Sequence, residues 1–141
     1  MTNEVVVRGY TVEDYEAVIN FMNRVTTLEE VNQDLISNSV LIRKGNDIIG
    51  MVSFERFNEI GIIRYFIYDH QVSPDLIVNM FFELYTKAKN LGVNQLISIA
   101  THQYAIQLFE LLGFIEIKRP TDLAVADFLQ ADNVRVMSIK F

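Results

Sequence analysis

The sequence contains no cysteine and no tryptophan, and only two histidines and two prolines in 141 residues. Without cysteine, disulfides, thiolate nucleophiles and zinc–thiolate sites are excluded. His70 and His102 alone do not complete a metal site, so no metal is expected. Long apolar runs are missing as well. Half the residues are hydrophobic and the mean hydropathy is +0.20, yet no stretch approaches the ~20 apolar residues of a membrane helix. Ile60 to Phe66 is strand-length and is broken by Gly61 and Arg64. Val5 to Val7 is too short for a signal-peptide core, so the expected location is the cytoplasm, with no membrane partner. Twelve basic residues stand against 18 acidic ones, a net charge of -6. Binding a phosphate backbone relies on clustered Lys and Arg; here they are scattered, which argues against nucleic acid as a partner. With no linker, repeat or low-complexity segment, residues 1–141 read as a single domain.

Hydrophobic periodicity predicts the elements. Val5 to Arg8 reads as a strand. Thr11 stands where a helix cap belongs, with Glu13 and Asp14 in the first turn, where carboxylates favour the exposed N–H groups. Val12, Tyr15, Ile19 and Met22 then share one helical face to about Arg24. Thr27 is expected to cap a second helix, with Glu30 in its first turn and Leu28, Val31 and Leu35 as its stripe. Val40 to Lys44 and Ile48 to Phe57 flank Gly45-Asn46-Asp47, a tight hairpin signal because Gly and Asn tolerate positive φ. Ile60 to Tyr68 is a third long strand.

Ser73 and Pro74 open the clearest helix, whose stripe is Ile77, Met80, Phe81, Leu84, Ala88 and Leu91, stopped by Gly92. Gln95 to Ala100 is a strand and Gln103 to Leu112 a helix ended by Gly113. Phe114 to Lys118 is a strand, Thr121 to Leu129 a short helix, and Val134 to Phe141 a closing strand. The order implies an α/β (α+β) domain: a mixed, mostly antiparallel sheet of about seven strands with about four helices.

That order resembles the GNAT acetyltransferase superfamily over nearly the whole chain. Two local matches carry the resemblance: Val7-Arg8 followed by Thr11-Val12-Glu13-Asp14 near the start, and Ala105 to Phe114, which is similar to the family's Leu-Tyr-Glu-x-Leu-Gly-Phe-like segment. The Gly113-Phe114 step has a physical basis, since Gly ends the helix in αL and Phe opens the next strand while plugging the core. Leu108, Phe109 and Leu112, by contrast, would be core in any α/β domain.

The resemblance implies acetyl-CoA as cofactor and N-acyl transfer to a small-molecule amine. It implies cofactor-binding positions at Ile67, Tyr68, Val72, Ser73, Asp75, Ile77, His102 and Phe109. The family's Arg/Gln-x-x-Gly-x-Gly/Ala loop falls on Val72 to Ile77, where none of its basic or glycine residues stands. Ser73 caps the helix with its own side chain, Pro74 removes an N–H, and Asp75 adds negative charge where a pyrophosphate would sit. Between Tyr65 and Thr86 there is no Lys or Arg, so His70 is the one candidate cation in that segment. The family's proton-donating Tyr is replaced by Phe109, and His102 stands where an Asn is common. Tyr104, five residues before Phe109, is expected to point elsewhere.

Asp69 and His70 are the candidate catalytic pair, a carboxylate beside an imidazole that could serve as general base. A solvated strand-to-helix loop is the plainer account of the same residues. His102 lies at the carboxyl end of a strand, where ligands bind in open α/β sheets, although a helix-start histidine on the surface needs no function. Glu55 and Arg56 offer charges of either sign to a substrate, with alternation turning one of them away. Tyr10 and Tyr15 read as core-edge aromatics.

Two functions follow. One is an acyl-CoA-dependent N-acyltransferase with a divergent cofactor site. The other is a catalytically inactive GNAT-fold module acting through a protein partner, a small ligand or a homodimer sheet. The joint loss of loop glycines, loop base and acid tyrosine favours the second for the chemistry.

Overall fold

The computed structural model describes residues 4–25, 33–117 and 135–141. Their order is β1 (Val5–Gly9), a 3-10 turn (Val12–Asp14), α1 (Tyr15–Val25), α2 (Gln33–Ser37), β2 (Ser39–Lys44), β3 (Asp47–Phe57), β4 (Ile60–Tyr68), α3 (Pro74–Asn90), β5 (Gln95–Ala100), α4 (Gln103–Leu111), β6 (Ile115–Ile117) and β7 (Arg135–Lys140). The strands form one seven-stranded sheet in the order β1-β2-β3-β4-β5-β7-β6. Its strand pairs are antiparallel except β4 with β5, which run parallel. The expected α/β class and mostly antiparallel sheet are therefore observed.

Alternation along the strands sends neighbouring side chains to opposite faces. On one face Val18, Phe21 and Met22 of α1 and Ile36 of α2 pack on Leu41, Ile48 and Met51. On the other, Ile77, Met80, Phe81, Leu84 and Ala88 of α3 pack on Val40, Ile42, Val52 and Phe54, joined by Phe109 and Phe114. Each large apolar side chain fully buried this way contributes roughly 1.5–3 kcal/mol. Ser73 caps α3 by accepting from the Leu76 N–H at 3.3 Å, and Gly92 ends it at φ 84°, both as the sequence predicts. Phe114 is 1% exposed and plugs the core one residue before β6 starts.

The first helix differs from its prediction. Residues 12–14 form a 3-10 turn, and Val12, expected on the apolar stripe, is 84% exposed. The cause is Asp14, which is buried to 1% exposure. Its carboxylate accepts from Arg8 at 2.8 Å through both oxygens, from Arg43, and from the Thr11 N–H at 2.9 Å. Burial alone would raise its pKa; the bonds from Arg8 and Thr11 more than offset that and hold the carboxyl well below its usual range. Turning Asp14 inward turns Val12 out. Of the second helix, Gln33–Ser37 is described, with Leu35 buried. The Thr27 cap with Leu28, Glu30 and Val31, the helix at Thr121 to Leu129, and the strand ends at Lys118 and Val134 lie outside the described residues.

Candidate functional site

The site begins where β4 and β5 part. Their parallel pairing covers Ile60, Gly61 and Ile62 against Gln95, Leu96 and Ile97 and stops there. Gly61 lets the strands meet closely at that point, since a Cβ there would stand 2.7 Å from Leu96 and 2.9 Å from Phe54. One residue further on, after Ile63, the β3–β4 register shifts: Phe54 faces Ile63, yet Val52 faces Phe66. Ser53 thus opposes both Arg64 and Tyr65, a β-bulge in β4. A bulge bends its strand and increases the local twist, which carries β4 away from β5. The buried Ser53 hydroxyl accepts from the Tyr65 N–H at 3.2 Å, satisfying the amide the bulge would otherwise leave without a partner.

The gap between the strands is a cleft of about 440 Å³. Phe66 and Phe109 stand in its wall and meet edge-on with ring centroids 6.0 Å apart, backed by Phe81. Its polar groups are Arg64, Tyr68, Ser98, Thr101, His102 and Tyr104. Tyr68 and Tyr104 share the lining of the cleft, and burial first, then the neighbouring Tyr104, raises the Tyr68 pKa. Tyr68 therefore keeps its proton at neutral pH, ready to donate rather than to accept charge. His102 caps α4: its Nδ1 accepts from the Ala105 N–H at 3.3 Å, so the ring carries its proton on Nε2. The imidazole also stacks on Tyr104 at 6.4 Å and 19°. Arg64 forms an ion pair with Glu55 at the cleft's outer edge.

Tyr68, His102 and Phe109 are the three anticipated positions that the structure brings together in this cleft. Ile67 packs on the opposite face, against the cluster under α1. Val72 and Ile77 are core residues beneath α3. Asp69 is turned aside: it accepts from the Gln71 N–H at 2.9 Å and lies 3.6 Å from Arg24 of α1. His70 is exposed beyond it. Arg56 donates to the Asn58 carbonyl at 2.9 Å, while Glu55 is engaged by Arg64. Tyr10 and Tyr15 edge the cluster under α1.

Two readings change. The absence of Lys and Arg between Tyr65 and Thr86 does not leave the β4–α3 loop without cations, because Arg24 reaches Asp69 and Lys44 donates to Gln71 Oε1 at 3.0 Å. Both arrive from elements remote in sequence. Tyr104 does not point away from the cleft either. Although five residues separate it from Phe109, the cleft wraps the first turns of α4, so Tyr104 stands at the rim and Phe109 in the wall. Arg64, Phe66, Ser98 and Thr101 were not anticipated. The signal for the last two was their position at the carboxyl end of β5.

At the start of α3, Leu76 N–H is taken by the Ser73 hydroxyl and carbonyl, Ile77 N–H by the Ser73 carbonyl at 3.2 Å, and Val72 N–H by the Asp69 carbonyl at 3.2 Å. Pro74 has no N–H, and Asp75 is exposed in the first turn. Amides engaged within the loop are poor donors to a phosphate. Among the described residues no group of His, Cys, Asp or Glu is arranged to hold a metal ion, and no helix is long and apolar enough to cross a membrane.

No protein-family model and no curated protein matches the sequence. Solved structures do. N-acetylglutamate synthase from Neisseria gonorrhoeae, complexed with coenzyme A and N-acetyl-glutamate, superposes with a TM-score of 0.72 at 14% identity, over 97% of this chain and 35% of that one. This chain thus spans about a third of the synthase's length. The acetyltransferase of GNAT family from Streptococcus pneumoniae gives 0.72 at 16% identity, covering 98% and 99% of the two chains. A Mycobacterium tuberculosis protein in complex with CoA gives 0.71 at 17%, covering 96% and 99%. The chain has the GNAT acyltransferase fold. Identities this low speak for the GNAT fold and leave the chemistry to the residues of the cleft.

Proposed function

We propose that the chain is an N-acyltransferase that takes an acyl thioester into the cleft between β4 and β5 and transfers the acyl group to an amine. The observation that carries this is the parting of β4 from β5 at the Ser53-supported bulge, which keeps an open aromatic slot lined by two phenolic hydroxyls. Structures of the same fold with coenzyme A bound support acetyl-CoA as the donor. Phe66 and Phe109 would hold the apolar stem; as the amine nitrogen bonds to the acyl carbon the C–S bond would break, Tyr104 with Tyr68 would supply a proton to the departing sulfur, and the nitrogen's surplus proton would return to the tyrosines through water. This pair takes the place of the proton donor that Phe109 lacks. His102, held in one tautomer, orients Tyr104 by stacking. Grip on the donor comes mainly from its acyl and pantetheine end, because α3 spends its first amides on Ser73.

That self-capped helix start favours a second reading, in which the cleft binds a small ligand or protein without chemistry. Titration calorimetry separates them, run with acetyl-CoA and with acetyl-pantetheine and paired with a thiol-release assay over a panel of primary amines. The enzyme predicts binding of both donors with similar affinity and one N-acetyl product per thiol released. Failure to bind either donor at millimolar concentration sinks it. Binding without thiol release across the panel leaves the module.

A further inference from the structure

The half-buried amine of Lys87 lies outside the cleft and plays no part in the chemistry above. Lys87 sits on the α3 face that packs against β1 and β2. Its ammonium donates to the Ser39 carbonyl at 3.4 Å, an oxygen that already accepts from the Tyr10 N–H at 2.9 Å. Among the described residues no carboxylate stands within ion-pairing distance of it. The absence of a side chain at Gly9 leaves the space beside the nitrogen, since a Cβ there would lie 3.6 Å away. The amine opens onto a separate cavity of about 320 Å³ formed by Gly9, Val40, Glu83, Thr86, Asn90 and Leu91. Glu83, one turn back on α3, is the charged group sharing that cavity; β1 contributes Gly9 and β2 Val40.

We infer that Lys87 is an acyl-acceptor site, a lysine built to be modified by a small activated acyl group carried as a thioester or an acyl phosphate. The neutral Nζ attacks the carbonyl carbon, forming the C–N bond. The C–S or C–O bond breaks, the thiolate or phosphate leaves with the electron pair, and the nitrogen gives its surplus proton to water. Three features suit the site to this. A weak single acceptor and no carboxylate leave the ammonium poorly stabilised, and burial pushes the Lys87 pKa down. The cavity has room for a group of acetyl size. The amide product keeps one N–H for the Ser39 carbonyl while shedding a charge that burial disfavours. Lys89, two residues on, provides an internal reference because it is exposed and lies over the Phe141 ring at 5.5 Å.

The test incubates the full chain separately with acetyl-CoA and with acetyl phosphate and follows acetylation by peptide mass spectrometry. In the native protein Lys87 is expected to acetylate roughly three- to tenfold faster than Lys89, and the ratio should collapse to about one in strong urea. Labelling by one donor only identifies which source the site accepts. A native Lys87 rate equal to or below that of Lys89 with both donors overturns the proposal. So does a preference for Lys87 that persists in urea, since it would then owe nothing to the fold.

Discussion

The two edges of β4 make opposite use of the same strand. Toward β3 it is paired from Ile60 to Tyr68, with a single irregularity at the bulge; toward β5 it is paired over three residues and then left open. The paired edge spends its backbone groups on the sheet, and its one interruption is satisfied by Ser53. The open edge turns side chains toward a cleft. Stability is therefore concentrated on the first edge and the proposed chemistry on the second, so substitutions on the two sides should move different observables.

The largest effect is expected where the edges converge. Gly61→Val would place a branched side chain against Leu96 and Phe54 in a packed layer. Overpacking of this kind costs about 3 kcal/mol, and the measured loss should appear as a lower urea midpoint. A melting curve within a degree of the parent would mean that the strands can separate cheaply, and the contrast would fail.

Next is Ser53→Ala, which removes the acceptor for the Tyr65 N–H inside the bulge. Leaving a buried donor unsatisfied costs about 2 kcal/mol. Because the bulge also sets the splay, the same variant should lose donor affinity in calorimetry while remaining folded by circular dichroism. Loss of stability with unchanged affinity would detach the bulge from the cleft.

On the open edge the ranking reverses. Tyr104 is 64% exposed, so Tyr104→Phe should change stability by no more than ~0.5 kcal/mol. Its kcat should fall roughly tenfold or more, within the range of a lost proton donor. Tyr68→Phe should fall alongside it, and the double variant should cost little beyond either alone, because the proposed proton donor is the two hydroxyls together. Additive losses would mean that they act separately.

How far the sequence reveals this arrangement follows from the range of the interactions. Helix starts and stops depend on residues a few positions apart, so Ser73-Pro74, Gly92 and Gly113 are readable directly. So are the Gly45-Asn46 turn and the stripe of α3. What escapes depends on contacts across the sheet. Nothing near Val12 indicates that Asp14 will be drawn under Arg8 and Arg43, and it is Arg43, 29 residues away, that helps make the turn 3-10. Arg24 and Lys44 reach the β4–α3 loop from equally remote positions. The bulge is invisible for a similar reason, since a run such as Ile60 to Tyr68 reads as one strand whether or not a partner slips register. Tyr104 was misplaced because angular separation around a helix axis ignores a cleft that wraps the helix end.

The smallest effect tests the helix start itself. Asp75 is exposed beside a cap whose amides are already engaged, so two obstacles to a phosphate act together: engaged donors and a like charge. Asp75→Gly removes only the charge. Exposed charges near a helix N-terminus are worth roughly 0.3–1 kcal/mol, so acetyl-CoA should bind about two- to fivefold tighter while acetyl-pantetheine, which carries no phosphate, stays unchanged. The gain should shrink in high salt, where exposed charges are screened. Removing the cap as well, with Ser73→Gly in the same chain, frees the Leu76 N–H from the hydroxyl and should tighten acetyl-CoA further. If both donors tighten equally, the effect comes from altered packing of α3 rather than from the phosphates, and the account of this helix as a self-satisfied start fails.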